Sequence, residues 1–455
     1  MTEPRPTADA GSTAPIPIMH APARLALKIL SDDDVRRVHT AAVELLGAEG
    51  AAAEAAARSA PGTFVLAARA FGQDVVAGAG HCWLATGGLA TRVRPREGGD
   101  PRPAIGADVD ELCLVADALP EVGVVSAPPV HAAGETVLGE IARCLHATSK
   151  HVLVTSLRTA AEADAAVRMA LAVADVFAVR HRPPLSLRAG ADGLGAAVVF
   201  ARAGLPAGVV AAPNGHADEA PAAAGAPADL ARALVRHHAG VLAACAAVQA
   251  TAPGAPFLYL ADAALAGLPA TGPQAAMFQI AATQLAAHVG LPVCAGGMVS
   301  GSHEPGWQAC TQNAFASLST TAAGADITAG AGTLSAGEVF SAQQLVMDAE
   351  IFSWNARIAG GIDVDEETLA LDAIKQVDIC GNFLSQRHTR RHMKDVWRPR
   401  LLDRSMWDAW VASGKEGAYE KATSLVGRML AQHKVSPLGD EVSGTLARIV
   451  AEAGL

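Results

Sequence analysis

The chain holds 455 residues, 51% of them hydrophobic and 18% charged. That is too apolar for a disordered chain and long enough for one large domain with additions, or for two to three smaller ones. Lys and Arg number 35 against 45 Asp and Glu, a net charge of −10. This argues against nucleic-acid binding, which draws on basic excess.

Aromatic residues make up 4%, with two tyrosines, so the core expected is one of Ala, Val and Leu. Seven cysteines, Cys82, Cys113, Cys144, Cys245, Cys294, Cys310 and Cys380, form no CxxC pair. An odd, scattered set suits reduced thiols and a cytoplasmic location better than a disulfide framework. The N-terminal stretch shows no apolar core behind basic residues and reads as no secretory signal. The most apolar stretches, 194–212 and 241–252, are broken by Arg202 and Pro206, or by Gln249 and Thr251. Neither reaches the roughly 20 uninterrupted apolar residues of a membrane span.

In chain order, residues 1–25 read as a polar, proline-rich disordered tail. Residues 26–120 read as an N-terminal helical and small β region. Ser31 caps a first helix whose three acids, Asp32, Asp33 and Asp34, sit at the positive end of its dipole. Residues 81–103 look like a short hairpin region, and 108–119 like another helix. From 121 to 336, short apolar runs recur at 122–126, 152–156, 185–189, 208–212, 257–260, 291–295 and 326–329, separated by helical stretches. The spacing is that of βα units, so the fold class is α/β, a TIM (β/α)8 barrel. Seven strands are placed and the eighth is not. Residues 337–455 form a helical, charged C-terminal extension, packed on the barrel or covering its mouth.

The chain resembles the trimethylamine methyltransferase family, whose non-pyrrolysine members include glycine betaine methyltransferases. The resemblance runs through LSDDDVRRVHTAAVELLGAEG, ATGGLATRV, ADVDELCLVADALPEVGVV and HATSKHVLV. It is strongest in AQQLVMDAEIFSWNARIAGGIDVDEETLALDAIKQV and GNFLSQRHTRRHMKDVWRPRLLDR. It implies a TIM barrel that moves a methyl group from a methylated amine to the Co(I) of a corrinoid (cobalamin) on a separate partner protein. It also implies a homo-oligomer, with no tightly bound cofactor in this chain.

The sequence departs from that pattern near the expected pocket. Family members usually carry Asp-x-Gln-x-x-Tyr-Glu after the sixth strand. Here Gln308 is kept, while Gly306, Thr311 and Gln312 stand where Asp, Tyr and Glu are expected. Ala342 and Gln343 likewise occupy a position commonly held by Tyr-Glu. The lost groups are those that hold a cation by charge or by cation–π contact. This weighs against trimethylamine itself and points to an altered methyl donor or altered chemistry; within the family the resemblance implies a quaternary or tertiary, betaine-like methylamine. Two other readings stay open: another methyl carrier such as a folate in a biosynthetic pathway, or a non-catalytic methylamine-binding protein.

In a barrel the site lies at the strand C-termini and the loops that follow. His303 and Glu304, polar on a mouth loop, are the leading catalytic candidates, with Gln308 at the start of the next helix. For substrate binding the candidates are Arg188, Asn214, His216, Tyr259, Asp262, Gln312 and Gln343. Arg188 suits a substrate carboxylate but would equally pair with a neighbouring acid inside the barrel, Asp262 suits an ammonium or simply caps the next helix, and Tyr259 reads as a core aromatic more than as a cage wall or hydroxyl donor. Gly296, Gly297, Gly330 and Gly332 would give a ligand or the corrinoid close backbone approach. Cys294, His303 and Cys310 are spaced by 9 and 7 residues, which matches no tight zinc motif, so no metal is expected. His388 and His392 share a helix face, and the bland reading for them is packing or partner contact. The basic cluster Arg387, Arg390, Arg391 and Lys394 is a solvated face, or one that meets an acidic partner.

Overall fold

The fold was read from a computed structural model, which describes residues 15–22, 24–88, 90–127, 132–155, 157–176, 183–210, 227–377 and 381–453. Eight parallel strands are laid down in chain order: β1 His81–Thr86, β2 Val122–Ala127, β3 His151–Val154, β4 Leu185–Ala189, β5 Ala207–Val209, β6 Tyr259–Ala261, β7 Val293–Gly296 and β8 Ile327–Ala331. Their order around the sheet is β5-β4-β3-β2-β1-β8-β7-β6. A parallel bridge between Ala207 and Phe257 joins the two ends and closes the barrel.

Apolar runs such as Val152-Leu153-Val154 and Tyr259-Leu260-Ala261 are fully buried. Parallel strands covered on both faces require this continuous apolar pattern. Two helices, α1 Asp32–Leu45 and α2 Gly50–Ser59, precede the barrel. One helix then follows each strand: α3 Gly106–Ala118, α4 Val137–Ala147, α5 Ala160–Val176, α6 Leu194–Arg202, α7 Pro227–Thr251, α8 Pro273–Val289, α9 Trp307–Ala323 and α10 Ala342–Ala359. The α1 cap is as expected from sequence, with Ser31 Oγ accepting from the Asp34 N–H.

The strand that the sequence left unplaced is β1. It lies inside the stretch read as a hairpin region. A hairpin does follow it, Arg92–Val93 against Arg102–Pro103, and joins a small four-stranded sheet with Thr333–Leu334 and Val339–Phe340. The glycines at 87 and 88 disguised a barrel strand as a hairpin arm. Residues 15–22, read as part of a disordered tail, are held: Ala21–Pro22 pairs with β1, and the Met19 N–H donates to the Pro120 carbonyl. Within the extension, two short helices, Glu366–Leu369 and Leu371–Gln376, are separated at Ala370, whose φ is +46°.

Of the two placements considered for the C-terminal extension, packing on the barrel is the one observed for its last helices. Ala418–Gln432 lies against α10 and α3, and Asp440–Ala453 against α4 and α5. Arg400 reaches the buried Glu121 at 2.8 Å.

Candidate active site

Arg188 is the fourth residue of β4, and Asp262 directly follows β6. Both therefore stand at the C-terminal mouth. The Arg188 Nη2 donates to Asp262 Oδ2 across the end of β5. Their side chains keep 19% and 15% of their exposure, so the pair is shielded yet reachable. Asp262 Oδ1 is taken by the Ala264 N–H at 2.8 Å, which fixes the carboxylate. Among the described residues, the buried Arg188 Nε has no hydrogen-bond partner. Burial works against the guanidinium charge, but the facing Asp262 carboxylate more than restores it, so Arg188 stays charged.

Cys294 on β7 lies within electrostatic reach of this pair. Burial pushes its thiol up to about 11, with Arg188 pulling it down and Asp262 and Asp326 raising it. Cys310 on α9 is pushed up to about 12, first by burial and then by Asp348. Neither thiol is a thiolate at neutral pH, and thiolate is the form that binds zinc or attacks an electrophile. Among the described residues, no group of three or more His, Cys, Asp and Glu is placed to hold a metal ion.

Beside the pair, a cleft of about 350 Å³ opens between α8 and α9. Gln279, Gln312, Thr271, Thr311, Val299 and Phe315 are among its lining residues. Gln312 Oε1 accepts from Ser300 Oγ at 2.8 Å and from the Gly301 N–H at 3.0 Å. This anchors the loop after β7 over the cleft. Gln308 is exposed one turn earlier, and its Nε2, Thr271 Oγ1 and Gln312 Oε1 all face the Cα of Gly301.

The four glycines offered for close ligand approach are each occupied by the chain itself. A Cβ at Gly296 would lie 2.6 Å from Gln279 Nε2, and one at Gly297 would lie 2.4 Å from Thr328 Oγ1. At Gly330, with φ +115°, it would lie 2.6 Å from Val299 Cγ2, and at Gly332, with φ +86°, 2.6 Å from Phe340 Cζ. Real Cβ contacts do not come this close, so the glycines serve packing between neighbouring strands and loops. They form no open cradle.

Other candidates are scattered. Asn214 and His216 lie outside the described residues. Tyr259 is fully buried and faces outward to the helical layer, its hydroxyl 3.0 Å from His238 Nδ1. His238 Nε2 lies 2.9 Å from His39 Nδ1, and His39 Nε2 lies 3.2 Å from Glu54. A buried polar chain thus runs from α2 to β6, away from the Arg188–Asp262 pair. Gln343 is also fully buried; its Nε2 donates to the Arg96 carbonyl at 2.8 Å and ties α10 to the small sheet. His303 is exposed with Nδ1 2.9 Å from Ser335 Oγ, and Glu304 is exposed beside it. His388 and His392 have partners of their own, the Glu367 carbonyl and Asp395.

The sequence offered Arg188 an acid partner inside the barrel without saying that it is Asp262, and Gln279 was missed. That glutamine sits in a helix buried on nearly every side, so no apolar stripe marks which face meets the site.

A closed parallel barrel with its polar site at the strand C-termini has the architecture of the barrel enzymes. Fold alone does not fix the reaction. A family model described as trimethylamine methyltransferase (MTTB) matches residues 44–453. The trimethylamine methyltransferase MttB of Desulfitobacterium hafniense is 30% identical over 421 residues, covering 88% of this chain and 82% of that protein. MttB of Methanosarcina barkeri is 35% identical over 232 residues, 50% of this chain and 47% of that one. The glycine betaine methyltransferase of D. hafniense is 31% identical over 235 residues, 50% of this chain and 49% of that one. The chain belongs to the trimethylamine methyltransferase family and is a methyltransferase. Among the described residues no helix is long and apolar enough to cross a membrane.

Proposed function

We propose that this methyltransferase demethylates a zwitterionic, betaine-like methylated amine, and that the observation carrying this is the Arg188–Asp262 pair with its spare Nε. A zwitterion can meet both halves of such a pair. Its carboxylate takes the free edge of the Arg188 fork, and its ammonium lies toward Asp262. A quaternary ammonium departs as a neutral tertiary amine and needs no proton from an acid. The chain's task is then to fix the N–CH3 bond in one direction and to exclude water.

The acceptor that the family resemblance implies is a corrinoid carried by a partner protein, whose Co(I) supplies the nucleophile for the methyl group. The space beside the glycines expected to receive it is filled by the chain's own side chains, which leave it no cradle there. His303, Glu304 and Gln308 border the mouth and remain candidates for contacts there. A folate-type carrier is the second reading, motivated by Thr311 and Gln312, which stand where the family resemblance expects Tyr and Glu. Homo-oligomerisation is supported by large apolar side chains exposed in the extension, such as Ile362, Leu384, Met406 and Trp407. A cytoplasmic location suits the described free cysteines.

The test mixes the purified chain with a reduced corrinoid protein and either glycine betaine or trimethylamine, following methyl-cobalt by absorbance. Methyl transfer from the betaine, lost in Arg188→Ala, supports the reading. Turnover of trimethylamine alone, or betaine turnover indifferent to Arg188→Ala, overturns it.

A further inference from the structure

The cleft between α8 and α9 has properties that the methyl-donor reading does not use. None of its lining residues is ionisable. Its polar lining side chains are Thr271, Gln279, Thr311 and Gln312. One carbonyl oxygen, Gln312 Oε1, is already spent on Ser300 and Gly301. Gln279 is 3% exposed, and among the described residues its Oε1 has no hydrogen-bond partner. A buried amide end without a partner loses its water and gains nothing in return, so a native fold seldom keeps one without a reason.

We propose that this cleft is a binding site for an uncharged ligand that presents a carboxamide or lactam edge. Such an edge offers one N–H and one carbonyl side by side, and so matches the Gln279 amide in both senses. The walls exclude the charged alternatives. A free cation would find no carboxylate and a single ring, Phe315, where an aromatic cage needs several. A free anion would find no lysine or arginine. Phe315 is 71% exposed and stands at the rim, where it offers its face to a flat ligand. The volume lies at the small end of ligand pockets, which run from roughly 300 to 1,000 Å³.

The cleft is separate from the ion pair. The Cβ that Gly296 lacks would lie 2.6 Å from Gln279 Nε2 and 3.9 Å from Asp262 Cγ. The glycine therefore brings the amide floor next to the carboxylate without making Asp262 part of the lining. The two sites adjoin and remain distinguishable by mutation.

The test uses the full chain with nicotinamide as the probe, a flat neutral carboxamide, followed by saturation-transfer NMR. Saturable binding is expected, weakened at least about tenfold in Gln279→Leu, as loss of one well-made hydrogen bond in a closed site would give. Arg188→Ala should leave it unchanged, which separates this proposal from the methyl-donor reading. Tetramethylammonium and acetate at equal concentration should not displace the probe. Thr311→Trp fills the cleft from a half-buried position and should abolish binding, and it carries the test if Gln279→Leu does not fold by circular dichroism. The proposal is overturned by absence of saturable binding, by equal binding in native protein and either cleft variant, or by displacement with tetramethylammonium.

Discussion

The two ends of the barrel treat buried charge differently. At the underside, where the strands begin, Asp117 accepts from Thr148 Oγ1, from the Ser149 N–H and from Ser149 Oγ, and His433 lies 2.7 Å from its other oxygen. Burial alone would raise this carboxyl. The His433 bond, the Lys150 charge and the Ser149 and Thr148 bonds outweigh it and bring it down to about 2. Lys150 is fully buried with its Nζ on the Ala116 and Leu119 carbonyls, and Asp326 spans the Gly78 and Val293 N–H groups. Arg69 breaks the pattern, since both its Nη atoms are buried without a partner. At the mouth, Arg188 and Asp262 satisfy each other only in part, and Gln279 keeps a free end. Charges at the underside are spent on holding the fold, while those at the mouth are left with valences for something else.

The largest effect should come from the underside. Asp117→Ala removes the acceptor for four donors and leaves Lys150 facing uncompensated burial. A loss of about 3 kcal/mol or more is expected, read as a fall in the urea midpoint or as loss of soluble protein. Arg188→Ala should do the reverse. Its stability cost is smaller because the pair is open to water, but betaine kcat/KM should fall about 100-fold, the weight of a charge-assisted bidentate contact. If Arg188→Ala destabilised the protein as much as Asp117→Ala, the contrast between the two ends would fail.

Acid should expose the structural end next. His151 has Nδ1 2.7 Å from the Ala67 carbonyl and Nε2 2.7 Å from Ser186 Oγ, and burial lowers it to about 4 against the pull of that carbonyl. His237 is likewise lowered to about 4 by burial, against the Leu260 carbonyl and Asp262. Unfolded, both imidazoles bind a proton near pH 6.5. Between that pH and about 4 the unfolded chain holds more protons, so stability falls as pH falls, by at most about 1.4 kcal/mol per pH unit for each histidine. Urea midpoints taken from pH 7 to pH 4.5 check this. In His151→Gln the slope should be shallower. An unchanged slope would show that His151 is not among the groups that titrate on unfolding.

The helical extension and seven of the eight barrel strands were legible because their apolar runs recur at βα spacing. β1 was not, since His81-Cys82-Trp83-Leu84-Ala85-Thr86 runs straight into glycines that also suit a hairpin. The site was legible only residue by residue. Arg188 and Asp262 could be named from their places at strand ends, but 74 residues separate them, and only closure of the barrel brings them together. Tyr259 is the core side chain that its apolar run suggested, while Gln343 misled as a substrate contact. A strand side chain points in or out by a parity that a continuous apolar run hides, and Gln343 satisfies a backbone carbonyl that sequence does not show.

The smallest effect is expected at the most prominent sequence candidate. His303 is exposed, and its one described bond is to Ser335 Oγ. His303→Ala should change stability by less than about 0.5 kcal/mol, as for surface substitutions clear of special features. Its effect on turnover decides more. General acid–base catalysis by a positioned side chain is worth roughly 100- to 10,000-fold, and His303 is exposed, with Ser335 Oγ as its one described hydrogen-bond partner. A loss below about tenfold is therefore expected, as fits a chain that works by orienting its substrate. A loss of about 100-fold with the melting temperature unchanged would move proton chemistry onto this loop. The mouth would then have to be read as more than a holder of the N–CH3 bond.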